Sequence, residues 1–208
     1  MSLNLIKYTK QLKKKATEYE QKDINGNTSA SFKDKYARKL VSFFVAIVLL
    51  VSLNTGFSET FISYVSTILS IFIGLFITAL IFSFDKFYVK KDLTKANSQE
   101  KLIDTQSFNF SKQFSYLTGY NIILSIFTLV LLSISTLFPD LSSINAFEYK
   151  LDFSTIKAEY IYNFIQIILI YIQRFLVLYW LSSIIYLTIF IISSMVNYMS
   201  LKTDEIGK

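Results

Sequence analysis

Cysteine and histidine are both absent from this chain of 208 residues, proline occurs once, and glycine occurs five times. Without cysteine there are no disulfides, no thiolate metal sites and no cysteine nucleophile. Without histidine the commonest acid/base group and metal ligand is missing. Catalysis and cofactor binding are therefore not expected. With so few helix breakers, long segments of regular structure can run uninterrupted. The start, MSLNLIKYTKQLKKK, lacks the unbroken apolar core and small-residue cleavage site of a secretory signal, because lysines interrupt it.

Hydrophobic residues make up 52% of the chain, and they fall into long uncharged blocks. Three blocks separate cleanly, at 40–57, 60–84 and 113–138, and a fourth covers 160–201. At 1.5 Å per residue each can cross a hydrocarbon core of about 30 Å. Barrel strands would be shorter and alternate with period two, so the expectation is all-α: a polytopic integral membrane protein with four transmembrane helices. Residues 1–39 form a basic N-terminal arm and 40–208 the four-helix membrane domain.

Lysine and arginine number ten in residues 1–39, none in 54–59, six in 85–112, two in 139–159 and two after 201. By the positive-inside rule this alternation puts the arm, the middle loop and the C-terminus in the cytoplasm. In the arm, Leu5, Ile6, Thr9, Leu12, Ala16 and Tyr19 recur at helical spacing while Lys7, Lys10, Lys13, Lys14 and Lys15 crowd the flanks. That pattern predicts a basic amphipathic helix ended by the turn signal NGNTS at 25–29. Its lysines suit either the anionic inner leaflet or a protein partner. Nothing resembling a nucleic-acid reading motif accompanies them.

Polar residues inside the blocks form stripes. Ser63, Thr67, Ser70, Gly74 and Thr78 share one face of the second block, and Thr118, Asn121, Ser125, Thr128 and Thr136 one face of the third. Such faces let helices approach closely, and in an oligomer they could instead line an aqueous pore. In the fourth block, IYNFIQIILIYIQRFLVLYW places Asn163, Gln166, Gln173 and Arg174 within about 100° of one another. A helix over the whole block would be about 60 Å long, twice the core. Either it is one long helix that tilts and extends past the membrane, or 158–173 forms a separate interfacial helix and 175–199 spans. Arg174 is accordingly a snorkelling anchor at the outer headgroups or a buried charge needing a partner such as Asp140, Glu148, Asp152 or Glu159.

The basic arm, the four spans and the stretches FITALIFSFDKFY and QFSYLTGYNIILSIFTLVLLS resemble the small accessory membrane proteins of prokaryotic immunity loci, particularly those of type VI-B CRISPR systems. Related accessory families resemble nucleases with an Arg and His motif, which a chain without histidine does not share. The resemblance implies a non-enzymatic membrane accessory or effector of antiviral defence in the bacterial cytoplasmic membrane. Its partner would be a cytoplasmic RNA-guided nuclease, and it would act as a homo-oligomer. An ion channel or transporter subunit lined by the Ser/Thr stripes is the alternative expectation, and a structural membrane scaffold the next.

Overall fold

The computed structural model describes residues 4–28, 32–53, 56–87, 98–139, 144 and 158–206. Among these, all regular structure is helical except one antiparallel bridge between Lys22 and Thr28. The helices are α1 (Leu5–Glu20), α2 (Phe32–Ser52), α3 (Glu59–Phe87), α4 (Ser98–Leu137) and α5 (Ala158–Ile206). Three of them are long and apolar enough to cross a membrane, over Glu59–Ser83, Lys101–Leu137 and Phe164–Ser200.

The first expected span, 40–57, differs most. Its helix stops at Ser52, leaving 13 uncharged helical residues from Leu40 to Ser52, about 20 Å. The Ser52 hydroxyl donates back to the Val48 carbonyl, and Phe57 is buried outside the helix. The second span starts at a cap: Ser58 Oγ accepts from the Phe61 amide at 3.2 Å, with Glu59 favourably placed at the positive end of the helix dipole. The third begins 15 residues before the expected boundary, because 98–112 continues as helix ahead of the apolar run. The fourth is a single helix of 49 residues, about 73 Å long. The choice between one helix and two is thus resolved in favour of one.

The chain divides into two compact units, and α3, α4 and α5 each contribute to both. The first consists of 1–38, 72–123 and 184–208, the second of 39–71 and 124–183.

The second unit has an apolar centre of Ala46, Phe57, Leu132, Val177 and Leu178, one or more from each of its segments, with Phe61, Val65 and Leu181 packed around it. Phe57 stacks on Phe61 at 5.1 Å, and Phe43 meets Phe175 edge-on at 5.9 Å. These contacts set Phe57 against the start of α3 and join α2 to α5. In hydrocarbon, where burial of apolar surface gains little, close packing and hydroxyl bonds hold helices together. The Ser183 hydroxyl donating to Ser42 Oγ at 3.0 Å is one such bond.

In the first unit α1 packs along the start of the α4 apolar run. Asn4 caps α1 by accepting from the Lys7 amide, and Ala16 is its fully buried residue. Leu12 lies over Gly119, 3.7 Å from where a Cβ would stand there. Tyr19 stacks on Tyr116 at 5.2 Å. The turn signal lies as expected after α1. The Asp23 amide donates to the Asn27 carbonyl, the Gly26 amide to the Asp23 carbonyl, and Asp23 Oδ1 accepts from the Asn27 amide.

Gly26 has φ +86°, a conformation that side chains rarely adopt, and an added Cβ would stand 3.1 Å from Asn109 Nδ2. Gly26→Ala is therefore expected to destabilise the turn by about 1 kcal/mol or more. The result should be faster proteolysis after Lys22 in the detergent-solubilised protein, with helix content otherwise retained.

Candidate functional site

Two polar assemblies stand out, one in each unit. In the second, α5 supplies Gln173 and Arg174 side by side. Gln173 Nε2 donates to the Leu131 carbonyl at 2.7 Å and to Ser135 Oγ at 2.8 Å, on the last two turns of α4. Arg174 Nη2 donates to the Ile144 carbonyl at 3.0 Å, and its guanidinium lies 5.0 Å from the Tyr171 ring. At 1% exposure Arg174 is the largest fully buried side chain. A buried charge in hydrocarbon costs about 2.5–3.5 kcal/mol on insertion scales. The backbone carbonyl and the ring face receive the guanidinium here. The bond ties Ile144 to α5.

The expected stripe thus divides. Gln173 and Arg174 act inward, and Gln166 lines an adjacent groove. The side chains of Glu159 and Asn163, the middle-loop residues 88–97 and the acids Asp140, Glu148 and Asp152 lie outside what the structure describes.

The two hydroxyl stripes also part company. Thr118, Asn121, Ser125 and Thr128 of α4 are all fully buried, and Asn121 Nδ2 donates to Thr188 Oγ1 at 3.0 Å. Thr136 is exposed instead, and Ser135 beside it is the buried hydroxyl. On α3 the picture reverses: Ser63, Thr67, Ser70, Gly74 and Thr78 are all exposed, and a Cβ on Gly74 would meet only open space. Among the described residues the α3 face does not meet another helix. Its hydroxyls bond to their own helix, with Thr67, Ser70 and Thr78 donating to carbonyls four residues back. Hydroxyls satisfied in this way tolerate lipid.

The second assembly was not foreseen from the sequence. Gln106, Asn109 and Gln113, at offsets 0, 3 and 7 on α4, grip the arm. Gln106 Nε2 donates to Asn25 Oδ1, Asn109 Nδ2 to the Ile24 carbonyl, and Gln113 Nε2 to the carbonyls of Tyr19 and Lys22. Gln113 Oε1 in turn accepts from Ser194 of α5 at 2.9 Å. Beside them Arg38 Nε donates to both Glu20 carboxylate oxygens at 3.0 and 3.1 Å, and its guanidinium lies over the Tyr120 ring. The ion pair is nearly buried, at 6% and 10% side-chain exposure. Burial works against the Arg38 charge, but attraction and hydrogen bonds from Glu20, with help from Tyr120, outweigh it and hold its pKa above the ordinary value. The 3–4 spacing of amides and aromatics over 106–120 was the available signal; the reach from Glu20 to Arg38 had none.

Of the five lysines on α1, Lys15 pairs with Glu18, which also binds Lys22 in the turn, at 3.0 and 2.7 Å. Hydrogen bonds from Lys22 and Lys15 lower the Glu18 pKa to about 2. Lys7, Lys10, Lys13 and Lys14 remain exposed on the side of α1 turned away from α4. No cluster of metal-ligating side chains occurs among the described residues.

Comparison of the chain with protein-family models, curated proteins and solved structures found no match to any of them. The class therefore follows from the fold itself: an all-α membrane protein with three helices long and apolar enough to cross the bilayer.

Two predictions follow from the arm. Arg38→Met leaves the Glu20 carboxylate buried without its cation, and breaking a buried pair in this way costs about 3–5 kcal/mol. The arm amides of residues 9–22 should lose their hydrogen-exchange protection. Glu18 contributes stability above its ordinary pKa of 4.5 that is lost as pH falls from there towards 2. The melting temperature of wild type should exceed that of Glu18→Gln by a small constant margin from pH 7 to 5, small because the pair is exposed, and the margin should close below pH 4.5.

Proposed function

We propose that this chain is a non-enzymatic accessory or effector protein of prokaryotic antiviral defence. It resides in the bacterial cytoplasmic membrane with both termini in the cytoplasm and engages a cytoplasmic protein partner through its arm. The carrying observation is the arm itself. α1 and the turn after it are fastened to α2 by a buried ion pair and to α4 by three amide side chains, while Lys7, Lys10, Lys13 and Lys14 point away. A loosely tethered basic helix would need no such fastening, whereas a recognition surface gains from being held rigid. The resemblance to accessory membrane proteins of type VI-B CRISPR loci supports an RNA-guided nuclease as the partner. The same lysines draw the arm to the anionic leaflet, each contributing about 1 kcal/mol near the surface.

In this reading α2 completes a fourth span with the help of Phe57 and the link, and the exposed Ser63–Thr78 face of α3 meets a second copy of the chain. That face also supports the alternative, a channel subunit, because it is the hydroxyl stripe not consumed by packing. The full burial of Thr118, Asn121, Ser125 and Thr128 counts against a pore lined by α4. A passive scaffold would leave the arm's lysines without a task.

Deleting the arm would strip a buried face of α4, so charge removal is the cleaner test. The variant Lys7→Gln/Lys10→Gln/Lys13→Gln/Lys14→Gln should insert and fold normally, yet lose co-purification with the RNA-guided nuclease of its own locus and lose protection of cells against phage. Undiminished co-purification would exclude the arm as the contact. Conductance in planar bilayers that changes with Ser70→Leu would favour the channel instead.

A further inference from the structure

In the second unit, the last two turns of α4 and residues 166–176 of α5 enclose a lateral groove of about 430 Å³. Its walls are Leu131, Ile134, Phe138, Leu169 and Leu176, with Gln166 at one end. The volume lies within the roughly 300–1,000 Å³ usual for small-molecule sites. Both walls belong to the membrane-crossing runs Lys101–Leu137 and Phe164–Ser200, so the groove opens to hydrocarbon. Water is a poor occupant, since it needs two to four polar partners and the walls are apolar.

The groove also has a polar end at a defined depth. Gln173 contacts Leu131 and Ser135, and Trp180 contacts Phe127, so α4 and α5 run antiparallel in a fixed register. Gln166 lies seven residues before Gln173, about 10 Å along the axis, and so stands level with the end of α4. There the apolar run gives way to Pro139 and Asp140, the transition from hydrocarbon to headgroups. Gln173 is satisfied by α4, whereas the half-buried Gln166 amide meets no hydrogen-bonding group among the described residues. A polar amide at ester depth above an apolar slot matches the polarity of a glycerolipid read from its ester inward.

We propose that this groove binds one acyl chain of a glycerophospholipid, from the leaflet at the α4 C-terminal end, with the Gln166 side-chain N–H donating to the ester carbonyl. The chain lies along Leu169 and Ile134 and ends near Leu176. The tail is held by shape and dispersion, and the amide sets the lipid's register.

The chain contains one tryptophan, Trp180, whose ring lies 6.1 Å from Phe127, one turn past Leu176. It reports on the deep end of the groove. The full chain in nanodiscs of an ether-linked phosphatidylcholine, which lacks the ester carbonyl that Gln166 would bind, is titrated with ester-linked phosphatidylcholine carrying brominated chains, and Trp180 quenching is followed. A saturable component at low mole fraction is expected in the wild type. Gln166→Leu should raise its half-saturation about threefold, one membrane hydrogen bond's worth. An ether-linked brominated lipid, which lacks the ester carbonyl, should behave towards the unaltered protein as the ester lipid does towards Gln166→Leu. Leu169→Phe, which fills the slot, should abolish the component. Quenching strictly proportional to mole fraction would overturn the proposal, as would indifference to both Gln166→Leu and the ether lipid. Brominated free fatty acid that competes as strongly as the phospholipid would reassign the ligand. Spontaneous disulfide dimers of Leu169→Cys, in a chain with no other cysteine, would show the groove to be filled by a second copy.

Discussion

A hydrocarbon core about 30 Å thick cannot cover a helix segment of about 55 Å, and the candidate membrane-crossing segments of α4 and α5 are both 37 residues long. Within the first unit the start of the α4 segment is covered by protein. α1 and the turn after it pack along Gln113, Tyr116 and Gly119, and Tyr198 of α5 stacks on Phe110 at 4.4 Å. The basic arm is therefore a structural part of the membrane protein as well as an exposed surface.

The polar groups divide by what surrounds them. Along α4, Thr118, Asn121, Ser125 and Thr128 are fully buried, with Asn121 donating to Thr188 of α5 and Thr128 to the Leu124 carbonyl of its own helix. Near the end of α4, Gln173 and Arg174 bind carbonyls and a hydroxyl, which pins the register of the antiparallel pair. At the boundary itself Gln166 is left to face a groove. On α3, with only 6% of its apolar window buried, the hydroxyls turn back on their own carbonyls. Similar residue types thus take three roles according to their neighbours.

Composition, block length and the scarcity of breakers determined that the protein is all-α and built for a membrane, because those properties are local and additive along the chain. The arm helix and its Gly26 turn were likewise legible, since capping, amphipathic spacing and a positive-φ glycine act within a few residues. The two hydroxyl stripes looked alike in sequence, and only packing separated them: which face of a helix is covered depends on neighbours that a single helix does not encode. The grip of Gln106, Asn109 and Gln113 on the arm and the Glu20–Arg38 pair joined residues far apart along the chain, so tertiary structure alone decided them. The burial of Arg174 was decided in the same way, by the Ile144 carbonyl and the register of α5 on α4, because what surrounds a side chain is set by the helices packed against it and not by the run in which it is written.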